Sequence, residues 1–282
     1  IKHTFTPDNL DGKKKMKCEV QRRFGLPREP KVPLFALTSR LADQKGFGDT
    51  AQGKDYVVQA LDKLLERNNV QVVITGDGEE AMKTRLFELQ SKYPYKFRYL
   101  PFNAEREKIL TAGSDAFLNF SRYEPSGLNQ FFSLKNGTIP VVSRTGGLAD
   151  SVKDGVNGFS GEVFFQADGK TVDAPKTAES ALGTMERFVK LYEENPWQIT
   201  AMRKRGMRES NSWQSRMPEF ESLFEYLEKD GPAKLAKGPP LGTDAGFLPS
   251  DLKRVAFPID LPTELRSLRC PDLFNSAKGV RP

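Results

Sequence analysis

Three short stretches of this chain combine residue types suited to handling an anionic ligand. The first is Ser121-Arg122-Tyr123-Glu124-Pro125-Ser126-Gly127-Leu128-Asn129-Gln130, where a carboxylate, a proline turn and a glycine open a helical run. The free N–H groups at such a helix start, together with its dipole, attract negative charge. Gly127 lets backbone approach a ligand closely. The second stretch holds Arg40 and Lys45, two cations five apart in one loop that follows another apolar run. The third is Thr145-Gly146-Gly147-Leu148, with paired glycines. A lone Glu-Pro-x-Gly turn is most often only a turn, its carboxylate capping the helix start. What points to a site is the recurrence.

Each stretch follows a short apolar run of strand character. Residues 32–38 precede the Arg40 loop, residues 115–120 precede the Glu124 turn, and residues 139–143 precede the glycine pair. Two further runs, 70–75 and 97–100, alternate with helical stretches at 14–24, 56–67, 79–93 and 104–113. In the second of these helices Val57, Ala60, Leu61, Leu64 and Leu65 recur at helical spacing, so one side is expected to cover a sheet. Near-continuous apolar strands alternating with helices predict an α/β fold, a doubly wound parallel sheet covered on both faces. Ligands of such sheets bind at the carboxyl ends of the strands, where all three stretches fall. Residues 130–137 read as a short helix, 152–159 as a loop, and 178–194, 196–210 and 217–229 as further helices. Gly76-Asp77-Gly78 reads as a strand-to-helix turn with only faint phosphate-loop character. The run Lys13-Lys14-Lys15-Met16-Lys17 reads as a solvated helix face.

Taken in order, Ser39-Arg40-Leu41-Ala42-Asp43-Gln44-Lys45-Gly46, Arg122-Tyr123-Glu124-Pro125-Ser126-Gly127-Leu128, Gly137-Thr138-Ile139-Pro140-Val141-Val142 and Thr145-Gly146-Gly147-Leu148 resemble the carboxyl-terminal half of glycogen and starch synthases. Asn9-Leu10-Asp11-Gly12-Lys13, Lys92-Tyr93-Pro94 and Phe102-Asn103-Ala104 are similar to the granule-bound starch synthase branch, and the resemblance covers residues 5–228. It implies the Rossmann-like half of a GT-B glycosyltransferase that moves glucose, with retention, from ADP- or UDP-glucose to a glucan end. No metal or other cofactor is implied.

The resemblance assigns Arg40 and Lys45 to the donor diphosphate, where they would stabilise charge on the departing nucleotide. It assigns Glu124 to the glucosyl hydroxyls, orienting the sugar. Ser126, Gly127, Leu128 and Asn129 would receive the distal phosphate, Thr145, Gly146 and Gly147 would complete the nucleotide-sugar site, and Phe102 would lie beside the base. From the residues alone, Phe102 could equally be core. Three departures stand out: Ser126 for a cysteine, Tyr123 for a phenylalanine, and Glu107-Lys108 for a small residue and a histidine. The acceptor-side half, with its Lys-x-Gly-Gly-Leu loop, is not among these residues, so this half alone is expected to bind donor without enclosing it or placing a glucan. A reading from another class makes it a synthase-like domain kept as a structural subunit of a larger assembly.

Composition narrows the classes. At 38% hydrophobic residues, 282 residues can bury a sizeable core, and no apolar run approaches the roughly 18 residues of a membrane span. The start, Ile1-Lys2-His3, is neither a methionine nor a signal peptide, so a piece of a longer chain is expected. Cys18 and Cys270 lack metal-like spacing and are expected as free thiols in a reducing, intracellular compartment, a plastid if the granule-bound resemblance holds. His3, the single histidine, leaves no histidine acid–base chemistry for the core. The net charge of +6 comes without an aromatic-interleaved basic stripe or a zinc module, so nucleic-acid binding is not expected. Residues 1–230 are expected to form the nucleotide-sugar domain. Residues 231–282, broken by repeated prolines, read as an extended tail whose Phe247, Phe257 and Leu261 are sticky points for an assembly partner.

Overall fold

A strand inside a parallel sheet is buried on both faces, so it forms where apolar and β-branched residues run unbroken. In this computed structural model, which describes residues 2–49, 52–209 and 213–229, there are six strands, mostly apolar in the four inner ones and mixed at the two edges. They are Leu34–Thr38 (β1), Gln71–Thr75 (β2), Phe97–Leu100 (β3), Ala116–Asn119 (β4), Ile139–Ser143 (β5) and Phe159–Gly161 (β6). They pair in the order β3-β2-β1-β4-β5-β6, every pair parallel. The order runs outward in both directions from β1 and β4, so the switch point, where a crevice opens at the carboxyl ends, lies between them.

The helices are Asp11–Arg23 (α1), Tyr56–Arg67 (α2), Glu80–Lys92 (α3), Ala104–Gly113 (α4), Asn129–Lys135 (α5), Gly146–Ser151 (α6), Ala174–Glu194 (α7), Pro196–Arg208 (α8) and Trp213–Lys229 (α9). Successive strand residues point to opposite faces, which divides the core in two. On one face Phe35, Leu37, Ile74 and Val141 meet Leu61, Leu64, Leu86 and Met185 from α2, α3 and α7. Phe188 of α7 anchors this face edge-on to Phe35 at 5.2 Å and to Phe159 at 5.9 Å. On the other, Leu34, Ala36, Val73 and Phe117 meet Met16, Val20, Ile109 and Leu110 from α1 and α4. By contact the chain divides into Ile1–Glu209 and Ser210–Pro282; of the second unit only α9 is described, and the expected tail at 231–282 lies outside the described residues.

Three expectations need correction. Residues 146–151 form a helix where no element was assigned, and a strand at 159–161 starts on the last residue of the expected 152–159 loop, because a Gly-Gly start and a three-residue strand carry almost no periodic signal. Helix α7 begins four residues earlier than expected, with Pro175 in its first turn, where the missing N–H costs nothing, and Asp173 accepting from the Lys176 amide at 3.2 Å.

The lysine run is the third and largest. Lys14 and Lys15 are exposed, but Lys13 and Lys17, one helical turn apart, are buried beside Met16 and Val20. Lys17 pairs at 2.6 Å with Asp115, the residue before β4, and Arg203 of α8 pairs with the same carboxylate at 2.5 Å. Asp115 also accepts the Leu34 amide at 2.9 Å. Burial works against its ionisation, yet Lys17, Arg203 and that amide hold its pKa below the usual carboxylate range. Burial likewise opposes the charge on Lys17, but Asp115 and Tyr192 raise its pKa. Lys13 donates to the Ala112 carbonyl and Thr138 hydroxyl; burial, with the Arg203 charge beside it, pushes its pKa well below the lysine range.

Candidate active site

Beyond Thr38 the chain turns through Ser39 to Gly46. Ala42 is extended, Asp43–Lys45 makes one 3-10 turn, and Gly46 closes it at φ 82°, a left-handed conformation that a side chain resists. The Gly76-Asp77-Gly78 turn lies beneath this loop: the Leu41 amide donates to the Asp77 carbonyl at 2.9 Å, and a Cβ on Gly76 would fall 2.1 Å from the Ser39 carbonyl. That turn is a seat for the Arg40 loop.

The neighbouring loop leaves β4. Tyr56 donates to the Phe120 carbonyl at 2.7 Å, and the Arg122 amide donates to the Gln44 carbonyl at 2.8 Å. These bonds bring Lys45 onto Glu124, where its ammonium bonds Oε2 directly. The Ser121 hydroxyl reaches the same oxygen at 3.1 Å and Asn119 Oδ1 at 2.6 Å. Partial burial favours the neutral acid, but Lys45, Ser121 and Asn119 outweigh it and hold the Glu124 pKa below the usual glutamate range. Arg40 is exposed and donates to Gln44 Oε1 at 3.3 Å, while Gln44 Nε2 donates to the Tyr123 carbonyl at 3.1 Å. Arg40, Lys45 and Glu124 therefore share one rim.

After Glu124, Gly127 adopts φ 76° and α5 begins. The Phe131 and Phe132 amides both donate to the Leu128 carbonyl, whereas those of Gly127, Leu128, Asn129 and Gln130 find no acceptor among the described residues. Ser126 and Leu128 are exposed beside them. The Asn129 side chain is committed elsewhere, donating to the Thr38 carbonyl at 3.2 Å and tying α5 to the end of β1. Thr145 is half-buried at the start of α6, and the glycine pair braces the carboxylate loop. Gly147 donates its amide to the Glu124 carbonyl at 2.8 Å, and Cβ atoms on Gly146 and Gly147 would lie 2.2 and 2.1 Å from the Glu124 and Ser126 carbonyl oxygens.

Phe102 is exposed, which rules out a core role. It follows β3, two strands from β1 and hence about 10 Å along the rim. Sequence reading gave no site role to Asn119, which helps hold the site together, and passed over Ser121, Arg122, Asp43 and Gln44 inside stretches it had singled out. Arg122 pairs with Asp43 at 2.7 Å and donates to the Lys170 carbonyl at 3.1 Å. Among the described residues, no group of three or more His, Cys, Asp or Glu converges to hold a metal ion, and no helix is long and apolar enough to cross a membrane.

Comparison with known proteins adds a family. The glycosyl transferases group 1 family matches residues 23–169. Soluble starch synthase 1 of Solanum tuberosum is 34% identical over 229 residues, 81% of this chain and 34% of its own length. The glycogen synthase of Myxococcus xanthus is 37% identical over 220 residues, 78% of this chain and 42% of its own. This chain thus spans less than half of the curated relatives it matches. Among solved structures, the catalytic domain of starch synthase IV from Arabidopsis thaliana bound to ADP and acarbose superposes with a TM-score of 0.64 at 24% identity, covering 80% of this chain and 44% of that one. Anabaena HepE in complex with UDP-glucose gives 0.51 at 18%, covering 68% and 47%. At these identities the likeness is one of fold.

Proposed function

Because this chain belongs to the glycosyl transferases group 1 family, we propose that it is the nucleotide-sugar-binding half of a retaining α-1,4-glucan synthase that transfers glucose from ADP- or UDP-glucose to a glucan. The observation that carries this reading is the convergence of Arg40, Lys45 and Glu124 on one rim, beside the Gly127 to Gln130 amides, which find no acceptor among the described residues.

Each group then has a task. The diphosphate draws on Lys45, Arg40 and the α5 amides, which neutralise the charge that builds on the leaving oxygen as the anomeric C–O bond breaks. Glu124 turns its carboxylate to the glucosyl hydroxyls and fixes the sugar's orientation. Lys45 must be shared between carboxylate and phosphate, so the pair is set for exchange of partners rather than for rigidity. Phe102 offers a ring face to the base, and Gly146 with Gly147 keeps the Glu124 carbonyl in place. The acceptor glucan belongs to the half not present in this chain. On the same reading the compartment is a plastid, as in the name of the potato relative; a fluorescent fusion of the parent protein found outside plastids would remove that part.

Calorimetry on the 282-residue chain with ADP, UDP and their glucose adducts tests the reading. Binding is expected, and Arg40→Ala or Lys45→Ala should weaken it about thirtyfold or more. Absence of heat with all four ligands overturns it. The structural-subunit alternative depends on residues 231–282, outside the described residues; unchanged co-purification of partners after their deletion would count against it.

A further inference from the structure

The β1–β4 ladder pairs Phe35 with Ala116 and Ala36 with Phe117 and goes no further. Both loops of the site begin beyond that point, so the sheet itself does not set one against the other. Something must, because a cation and a carboxylate from separate strands work together only when placed to within a fraction of an ångström.

Gln44 joins the two loops twice, once by its main chain and once by its side chain, and that side chain also holds Arg40 within its own loop. Its carbonyl accepts the Arg122 amide at 2.8 Å, its Nε2 donates to the Tyr123 carbonyl at 3.1 Å, and its Oε1 accepts from Arg40 at 3.3 Å. The Asp43–Arg122 ion pair also joins the loops, but its side chains are 58% and 31% exposed, and it touches none of Arg40, Lys45 and Glu124. An exposed pair of that kind contributes little. A carboxamide is the group that fits at position 44, since it accepts from a guanidinium and donates to a carbonyl at once. It is also neutral, so it orients Arg40 without cancelling its charge. A carboxylate there would lose the donor and compete with phosphate for the guanidinium.

We propose that Gln44 is a positioning residue, holding the Arg40 guanidinium in register with the backbone that carries Glu124 so that an incoming diphosphate meets a preset cation. This rests on the donor-binding reading above. Arginine has many rotamers, and fixing one beforehand lowers the ordering cost of binding.

The test is a double-mutant cycle on the 282-residue chain, with UDP and ADP as calorimetric probes and the thermal midpoint read in parallel. Gln44→Ala should weaken nucleotide binding about tenfold while leaving the midpoint unchanged. In the Arg40→Ala background the same change should alter affinity by less than about twofold, since the residue through which it acts is gone. Gln44→Glu should weaken binding more than Gln44→Ala. If Gln44→Ala leaves affinity unchanged, or weakens it equally with and without Arg40, the positioning role is overturned while donor binding stands. If the wild-type chain binds neither nucleotide, the donor-binding reading fails and this role fails with it.

Discussion

Strand β4 has a lysine–carboxylate pair at each end, and the two are built for opposite purposes. At the amino end Asp115 is enclosed by Lys17, Arg203 and the Leu34 amide, and side-chain exposure of the pair is 6% and 5%. At the carboxyl end Glu124 takes Lys45 and Ser121 on one oxygen, beside an exposed Arg40 and four amides that find no acceptor among the described residues. Chemistry alone does not distinguish them. What does is whether the partners are saturated from every side. A closed pair fixes α1, α8 and the sheet; an open one has spare capacity at its edge for a ligand.

The most severe break in this contrast is Asp115→Ala. It strands two buried cations, and removing one member of a buried pair costs about 3–5 kcal/mol. Urea denaturation should show that loss, and a change below about 1 kcal/mol would make the cluster ornamental. Lys45→Ala should do the reverse. Its pair is single and 16% and 11% exposed against 6% and 5% at the other end, so stability should fall by less than with Asp115→Ala, while nucleotide affinity drops about thirtyfold or more with the loss of a charge-assisted bond. A denaturation curve and a calorimetric titration on the same sample decide it.

Acid sharpens the comparison further. Asp115 and Glu124 both have depressed pKa values when folded. Each therefore adds stability that is present above its unfolded value, about 3.9 for Asp and 4.3 for Glu, and that fades as pH falls through the folded value. Lys17, raised on folding, adds stability that is complete below the unfolded lysine value and fades as pH climbs through its folded one. Thermal midpoints should accordingly fall in acid, while Lys13, lowered on folding, adds a rise with pH between its folded value and the unfolded lysine value. Asp115→Asn should flatten much of that fall, and Glu124→Gln only a little of it. The smallest expected effect is Phe102→Ala: the ring is exposed, so stability should hold, while nucleotide affinity falls by about tenfold or less if a base stacks there.

The open end was far more legible in the sequence than the closed one. Arg40, Lys45, Glu124 and Gly127 each follow an apolar run, and runs such as 97–100 and 139–143 became strands with the very bounds expected. Local signals of this kind survive folding because apolar strands and breaker residues act over a few positions. The closed cluster joins residues 13, 17, 115 and 203, which no local pattern connects. A hint existed, since Lys13 and Lys17 share a helix face with Met16 and Val20, but a lysine run reads as surface until its partners are known. The Gly146-Gly147 pair was expected to contact ligand; the structure adds that it packs closely against the Glu124 and Ser126 carbonyls, a role visible only once two distant turns meet.

The lysine run also makes the molecule report on its own integrity. Lys14 and Lys15 stand in solvent, whereas Lys13 and Lys17 are walled in between them and the sheet. An amine-reactive label applied to the intact protein should mark the middle pair and spare the flanking ones, even though burial lowers the Lys13 pKa and leaves more of its amine unprotonated. Marking of all four within one five-residue stretch then registers every molecule whose first helix has come away from the sheet.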